Sequence, residues 1–173
     1  MPETAVTDAV APTVAEQLRT GLRRLGKAVV VITAWHDERR WAMTATAVSE
    51  LSMDPPSLLV CVNKSASLHG PLTAGAAFCV NILHRDQLAV SNACAGKLKG
   101  EARFELGDWG AGEDGTPYLR DAQASFFCRY EKHVEHGTHA VVIGEVLSVD
   151  VAGDVDPLIY LDGGYARAAP LPA

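Results

Sequence analysis

The feature that most constrains this chain is a pair of long β-type runs, ASFFCRYEKHVEH at 124–136 and THAVVIGEVLSVDVAG at 138–153. The short connection His136-Gly137-Thr138 joins them. A parallel pair needs a crossover of a dozen or more residues, so these two runs must form an antiparallel hairpin. The rest of the chain repeats the pattern. KAVVVITAW at 27–35 is rich in β-branched residues, and the charged turn Asp37-Glu38-Arg39-Arg40 leads into WAMTATAV at 41–48. SLLVCVN at 57–63 enters through Asp54-Pro55-Pro56, which disfavours helix, and AFCVNIL at 77–83 and PLIYLDGGY at 157–165 add two more strands. Strands outnumber helices and do not alternate with them as βαβ units do. The expectation is a mostly β fold with flanking helices, closed as an antiparallel barrel.

Helical signals are few. Thr13 and Glu16 make a capping box, and Leu18, Leu22 and Leu25 follow at helical spacing, which predicts a helix over 13–25 stopped by Gly26. Two further helical pieces, 65–75 and 84–96, end at Gly75 and Gly96. Residues 97–121 are Gly-rich, charged and irregular. A disordered tail is expected over 1–12 and another over 167–173, flanking one domain at 13–166.

The 173 residues suffice for one hydrophobic core. A net charge of −6 with no long basic run argues against a nucleic-acid partner. No apolar run reaches membrane-spanning length, and the acidic N-terminus is unlike a secretion signal, so no membrane partner and a cytoplasmic location are expected. Cys61, Cys79, Cys94 and Cys128 form no C-x-x-C pair and are read as buried small hydrophobes.

Four motifs bear on chemistry. Gly110, Gly112 and Gly115 match G-x-G-x-x-G, but the stretch follows no βαβ strand and runs into Thr116-Pro117. It reads as a surface loop, not a dinucleotide fingerprint. His133, His136 and His139 recur every three residues; on strands that spacing alternates faces, so no metal site is expected. The hydroxyl-rich run from Met43 to Ser52 offers small residues against which a flat ring can lie. Asn63-Lys64-Ser65-Ala66-Ser67 offers a cation, hydroxyls and amides at a helix start, the usual ingredients for a phosphate.

Taken in order, these pieces resemble the flavin reductase-like family, the short-chain reductase partners of two-component flavin monooxygenases. The matching stretches are Ala42 to Val48, Ser52 to Pro56, Cys61 to Ser67, Phe78 to Leu83, Ala102-Arg103-Phe104, Gly137-Thr138-His139, Gly144-Glu145-Val146 and Pro157 to Tyr160. The resemblance implies a Greek-key split β-barrel that forms a homodimer. It implies FMN or FAD as flavin, NADH or NADPH as hydride donor, and a separate flavin-dependent oxygenase that receives diffusing reduced flavin. By position it assigns Thr44, Ala45, Thr46, Ser49 and Ser52 to the isoalloxazine and ribityl. Asn63, Lys64, Ser65 and Ser67 fall at the ribityl-phosphate end, with Arg103 and Phe104 nearby, and His139, as the candidate catalytic residue, and Tyr165 fall on the nicotinamide side. Two positions depart from the usual pattern: Ala42 where many members have Gly, and Glu50 where Ser is common. The same scaffold would also suit a non-catalytic flavin- or haem-binding barrel, or a flavin-dependent cobalamin or ferric reductase.

Overall fold

The computed structural model describes residues 11–169 and 171. The first ten residues of the expected N-terminal tail therefore lie outside the described residues, as do residues 170, 172 and 173. In chain order the strands are β1 (Lys27–Ala28), β2 (Val30–His36), β3 (Arg39–Ala45), β4 (Val48–Met53), β5 (Pro56–Asn63), β6 (Phe78–Ile82), β7 (Trp109–Ala111), β8 (Pro117–Leu119), β9 (Ala124–His136), β10 (His139–Val151), β11 (Leu158–Leu161) and β12 (Gly164–Arg167). The helices are α1 (Val14–Leu22), α2 (His69–Thr73) and α3 (Leu88–Asn92).

Seven strands form one antiparallel sheet in the order β3-β2-β6-β9-β10-β5-β4. Its two edge strands, β3 and β4, are separated in sequence only by Thr46 and Ala47. A flat sheet would hold those edges six strand spacings apart, so the sheet must curl until they meet. The Cys61 N–H donates to the Ala47 carbonyl at 2.9 Å and pins the corner. The result is a barrel closed covalently at one point and unpaired elsewhere between β3 and β4, a split barrel.

β2 shows why its sequence is continuously apolar. Val30, Ile32 and Ala34 face the barrel interior with Val60, Val62, Phe78, Val80 and Val142. Val29 and Val31 face an outer layer with Leu83, Val90, Phe104, Leu119 and Leu158. A strand covered on both faces does not alternate apolar with polar. The β9–β10 hairpin turns on Gly137-Thr138, with His136 directly opposite His139. Its ladder shifts register at Ile143/Gly144 and again at Val146/Ser148. Gly144 is required there: a Cβ would lie 2.5 Å from Cζ of Phe78.

Several elements differ from the sequence reading. α1 starts on the expected Thr13–Glu16 capping box but ends at Leu22, not Leu25. Arg23 caps the helix in helical geometry, the next two N–H groups bond three residues back, and Arg23 ties this end to the β11–β12 turn: its Nε donates to Asp162 Oδ1 at 2.9 Å, and its carbonyl accepts from Asp162 N–H at 2.8 Å. Leu18, Leu22 and Leu25 are exposed, and none of the residues of α1 is buried. WAMTATAV is not one strand, because the corner at Thr46-Ala47 breaks it. PLIYLDGGY is a hairpin, with β12 continuing to Arg167. The irregular stretch 97–121 contains the β7–β8 hairpin, which carries the three glycines of the G-x-G-x-x-G match. Buried Asn81 anchors that hairpin, accepting from the Leu119 N–H at 2.9 Å and donating to the Val31 carbonyl at 2.9 Å.

Candidate active site

The strand break at Thr46-Ala47 splits the hydroxyl-rich run between two cavities. Thr44 lines a cleft of about 480 Å³ with Trp41, Met43, Ser65, Ser67, Gly96, Lys99 and Arg103. Thr46, Ser49 and Ser52 line a second, more apolar cavity of about 730 Å³ with Leu25, Met53, Phe126 and Val146. Ala45, between them, packs against the barrel interior. The structure thus brings Thr44 together with the Ser65–Ser67 loop and Arg103, and brings Thr46, Ser49 and Ser52 together separately.

The first cleft is assembled by Arg103. Its Nη1 donates to the Ala42 carbonyl on β3 and to Ser67 Oγ at 3.0 Å, and its Nε donates to the Leu98 carbonyl at 3.0 Å. One guanidinium therefore ties together three pieces of chain that border the cleft. Ala42, one of the two departures from the family pattern, is itself buried in the outer core. Arg40 completes the rim: it bonds Glu101 through Nε at 2.9 Å and lies 4.3 Å over the Phe104 ring. That contact holds the Glu101 carboxyl below its ordinary range. Phe104 is buried beneath, edge-on to Trp109 at 4.9 Å, and supports the rim rather than lining it. Glu50 lines the apolar cavity beside Ser49.

Asn63 shapes the neighbouring loop. Its Oδ1 accepts from Ser65 N–H at 2.9 Å and from Ser65 Oγ at 2.8 Å, turning the chain just after β5. Lys64 is not part of the cleft lining; its ammonium is ion-paired with Glu135. His139 opens β10 directly opposite Asn63, exposed, with Nδ1 2.9 Å from Thr138 Oγ1. Tyr165 reaches the site from β12. Its hydroxyl is hydrogen-bonded to Ser91 Oγ at 2.9 Å, and the Ser91 carbonyl accepts from Thr44 Oγ1 at 2.6 Å. The sequence reading missed Arg40, Trp41, Lys99 and the glycines Gly96 and Gly100. The signal was present: GKLKG at 96–100 places two lysines between glycines, and both glycines have positive φ, at 103° and 56°.

A split barrel whose cleft gathers three cations and serine and threonine hydroxyls has the groups to hold an anionic small molecule. The chain belongs to the flavin reductase-like family: residues 22–169 match the flavin reductase like domain. It is 43% identical over 159 residues to the reductase component of the FADH(2)-dependent resorcinol hydroxylase of Rhizobium sp. strain MTP-10005, covering 91% of this chain and 89% of that protein. It is 40% identical over 154 residues to the FMN reductase (NADH) RutF of Variovorax paradoxus strain S110, covering 89% and 86%. The fold superposes on the NADH:FAD oxidoreductase SgcE6 of Streptomyces globisporus C-1027, solved with NAD and FAD fragments. The TM-score is 0.84, with 29% identity over 95% of this chain and 98% of that one.

The residues present suit a flavin. Arg40, Lys99 and Arg103 supply three cations around one cleft, Ser65 and Ser67 supply hydroxyls, and Trp41 and Met43 supply apolar surface. That donor set matches an anionic tail joined to a flat ring system, and the cleft volume lies within the usual range for small-molecule sites.

Proposed function

We propose that the chain is an NAD(P)H:flavin oxidoreductase that reduces FMN or FAD and supplies it to a separate monooxygenase. The observation that carries this reading is the Arg103-tied cleft, placed on a split barrel whose relatives are flavin reductase components. A bound nicotinamide would supply the hydride and a bound flavin would accept it. The chain's part is to hold the two rings against each other. Thr44 lies beside the ring in the Arg103-tied cleft, Ala45 backs it from the barrel interior, and Thr46, Ser49 and Ser52 offer a second, more apolar surface across the strand corner. Ser65 and Ser67 bind the ribityl-phosphate end, Lys64 next to them in sequence reaches it by turning away from Glu135, and Asn63 sets the turn. Arg103 holds Ser67 in place, and Phe104 supports the rim. Tyr165 fixes Thr44 through Ser91, and His139 serves the nicotinamide carboxamide.

The protein acts as a homodimer. The exposed apolar stripe Val14, Leu18, Leu22 and Leu25 and the 86%-exposed Met53 leave apolar surface that a second copy would cover. Light scattering tests this; a monomer with full activity refutes it. Cys61, Cys79, Cys94 and Cys128 are all free thiols, and among the described residues no helix is long and apolar enough to cross a membrane. Free thiols suit the reducing cytoplasm.

The decisive experiment is the rate of NADH and NADPH oxidation with FMN, FAD or neither. Turnover should require added flavin and saturate with it. Stoichiometric flavin retained through dialysis, with no response to added flavin, would refute the diffusing-flavin reading.

A further inference from the structure

We infer that Glu135 is a positioning residue that withholds Lys64 from the flavin phosphate and so weakens flavin binding. The inference rests on the assignment of Lys64 to the phosphate end. The backbone of Lys64 is fixed against the β9–β10 turn, its N–H donating to the Thr138 carbonyl at 2.9 Å. Its ammonium is nonetheless free to choose between partners, because it sits at the end of a flexible four-carbon stem. In this structure it is paired with Glu135 Oε2, not turned to the Ser65–Ser67 loop.

The other oxygen of the same carboxylate faces a second basic group. His69 Nε2 lies 3.7 Å from Glu135 Oε1 and is buried without any hydrogen-bond partner. His133, the third basic group on this side, is already engaged, with its Nδ1 2.8 Å from the Tyr130 hydroxyl. The Glu135 carboxyl is held below its ordinary range, first by the Lys64 hydrogen bond and further by the charges of Lys64, His69 and His133.

These contacts make an exchange. Bound to Lys64, Glu135 neutralises the ammonium that the phosphate would use. When Lys64 turns to the phosphate, the carboxylate is not stranded, because the unpartnered His69 Nε2 lies 3.7 Å from its other oxygen. Flavin must therefore displace a half-exposed ion pair on arrival, and Glu135 competes for Lys64 again on departure. A substrate that must leave after reduction is served by such competition.

The test uses the full-length protein in four forms: wild type, Glu135→Gln, Lys64→Ala and the double variant. FMN and riboflavin dissociation constants are read by flavin fluorescence, and flavin KM and kcat are read with NADH. Glu135→Gln should lower the FMN Kd and flavin KM about two- to fivefold, the size of an exposed ion pair. Riboflavin affinity, which lacks the phosphate, should not move. In the Lys64→Ala background, the added Glu135→Gln change should have no effect on FMN. Weaker or unchanged FMN binding in Glu135→Gln overturns the inference while leaving the Lys64 assignment intact. So does equal tightening of riboflavin, or tightening that persists without Lys64. If Lys64→Ala alone leaves FMN affinity unchanged, the Lys64 assignment falls and takes the inference with it.

Discussion

Replacing Arg103 tests whether the cleft depends on charge or on attachment. Its guanidinium donates to two backbone carbonyls, of Ala42 and Leu98, and to the Ser67 hydroxyl. A hydrogen bond from a charged donor is worth about 1.5–3 kcal/mol. The three bonds share one cation and do not add, and water reaches the freed carbonyls at the cleft rim. Arg103→Ala should therefore cost about 2–3 kcal/mol in total rather than three separate bonds. The loss divides between the fold, since the 98–104 segment loses its tie to β3, and binding, since Ser67 is no longer held. A share of about 1.4 kcal/mol in binding is tenfold in Kd. Arg103→Lys separates the two explanations. Lysine restores the positive charge, but a point donor cannot span the three acceptors that the planar fork reaches. Flavin fluorescence titration should show Kd raised roughly tenfold in both variants, and thermal melts should show both destabilised. Wild-type flavin affinity in Arg103→Lys would show that charge alone matters. A melting-point loss in Arg103→Ala with unchanged Kd would make Arg103 purely structural.

Three further outcomes follow from the geometry. Gly144→Ala forces a methyl to within 2.5 Å of Phe78 and 3.0 Å of the Cys128 Cβ. Such overpacking costs about 1–3 kcal/mol, roughly 2–12 °C in melting temperature at this chain length; an unchanged melt would refute the tight contact. Burial pushes the Cys94 thiol up to about 11 and that of Cys128 up to about 12, and raises Cys79 further. Since the thiolate is the nucleophile, a disulfide reagent at pH 8 should rapidly label only half-buried Cys61 in the native protein. All four thiols should react after denaturation, and two or more fast thiols in the native state would contradict the burial. Finally, the Arg40 contact depresses the folded-state pKa of Glu101 below its unfolded value of 4.5. Its contribution is then present above about pH 4.5 and lost as pH falls through the lower folded value. The denaturation midpoints of wild type and Glu101→Gln should differ at pH 7 and draw together as the pH falls below the unfolded value; a difference that grows in acid would reverse the assignment.

The strand content of the chain was legible because β-branched runs and tight turns are local signals. The β9–β10 hairpin and the Thr13–Glu16 cap fall where the sequence places them. What escaped is set by tertiary contact. The Arg23 that caps α1 is tied to Asp162, which is far away in sequence. The break at Thr46-Ala47 exists only because the sheet must close, and nothing in WAMTATAV announces it. For the site, the family pattern led to Thr44, Ser65, Ser67 and Arg103, which do share one cleft. It could not show that Thr46 and Ser49 face a different cavity, because a two-residue spacing keeps one face only while the strand is unbroken. Nor could it show that Lys64 already has a partner, since Glu135 approaches from across the sheet.

The junction between β3 and β4 has a mechanical consequence. Every other neighbouring pair in the seven-stranded sheet is laced by a ladder of hydrogen bonds, whereas these two are linked only through Thr46 and Ala47. The gap behaves as an expansion joint. Torsion about Thr46 and Ala47 crosses no rung of the β3 or β4 ladders, and the Cys61 N–H to Ala47 carbonyl bond sets its rest position. Thr44 precedes that joint, Thr46 forms part of it, and the two face separate cavities. Such a torsion therefore moves both cavity walls at once, while the interior built on Val60, Phe78 and Val142 stays packed.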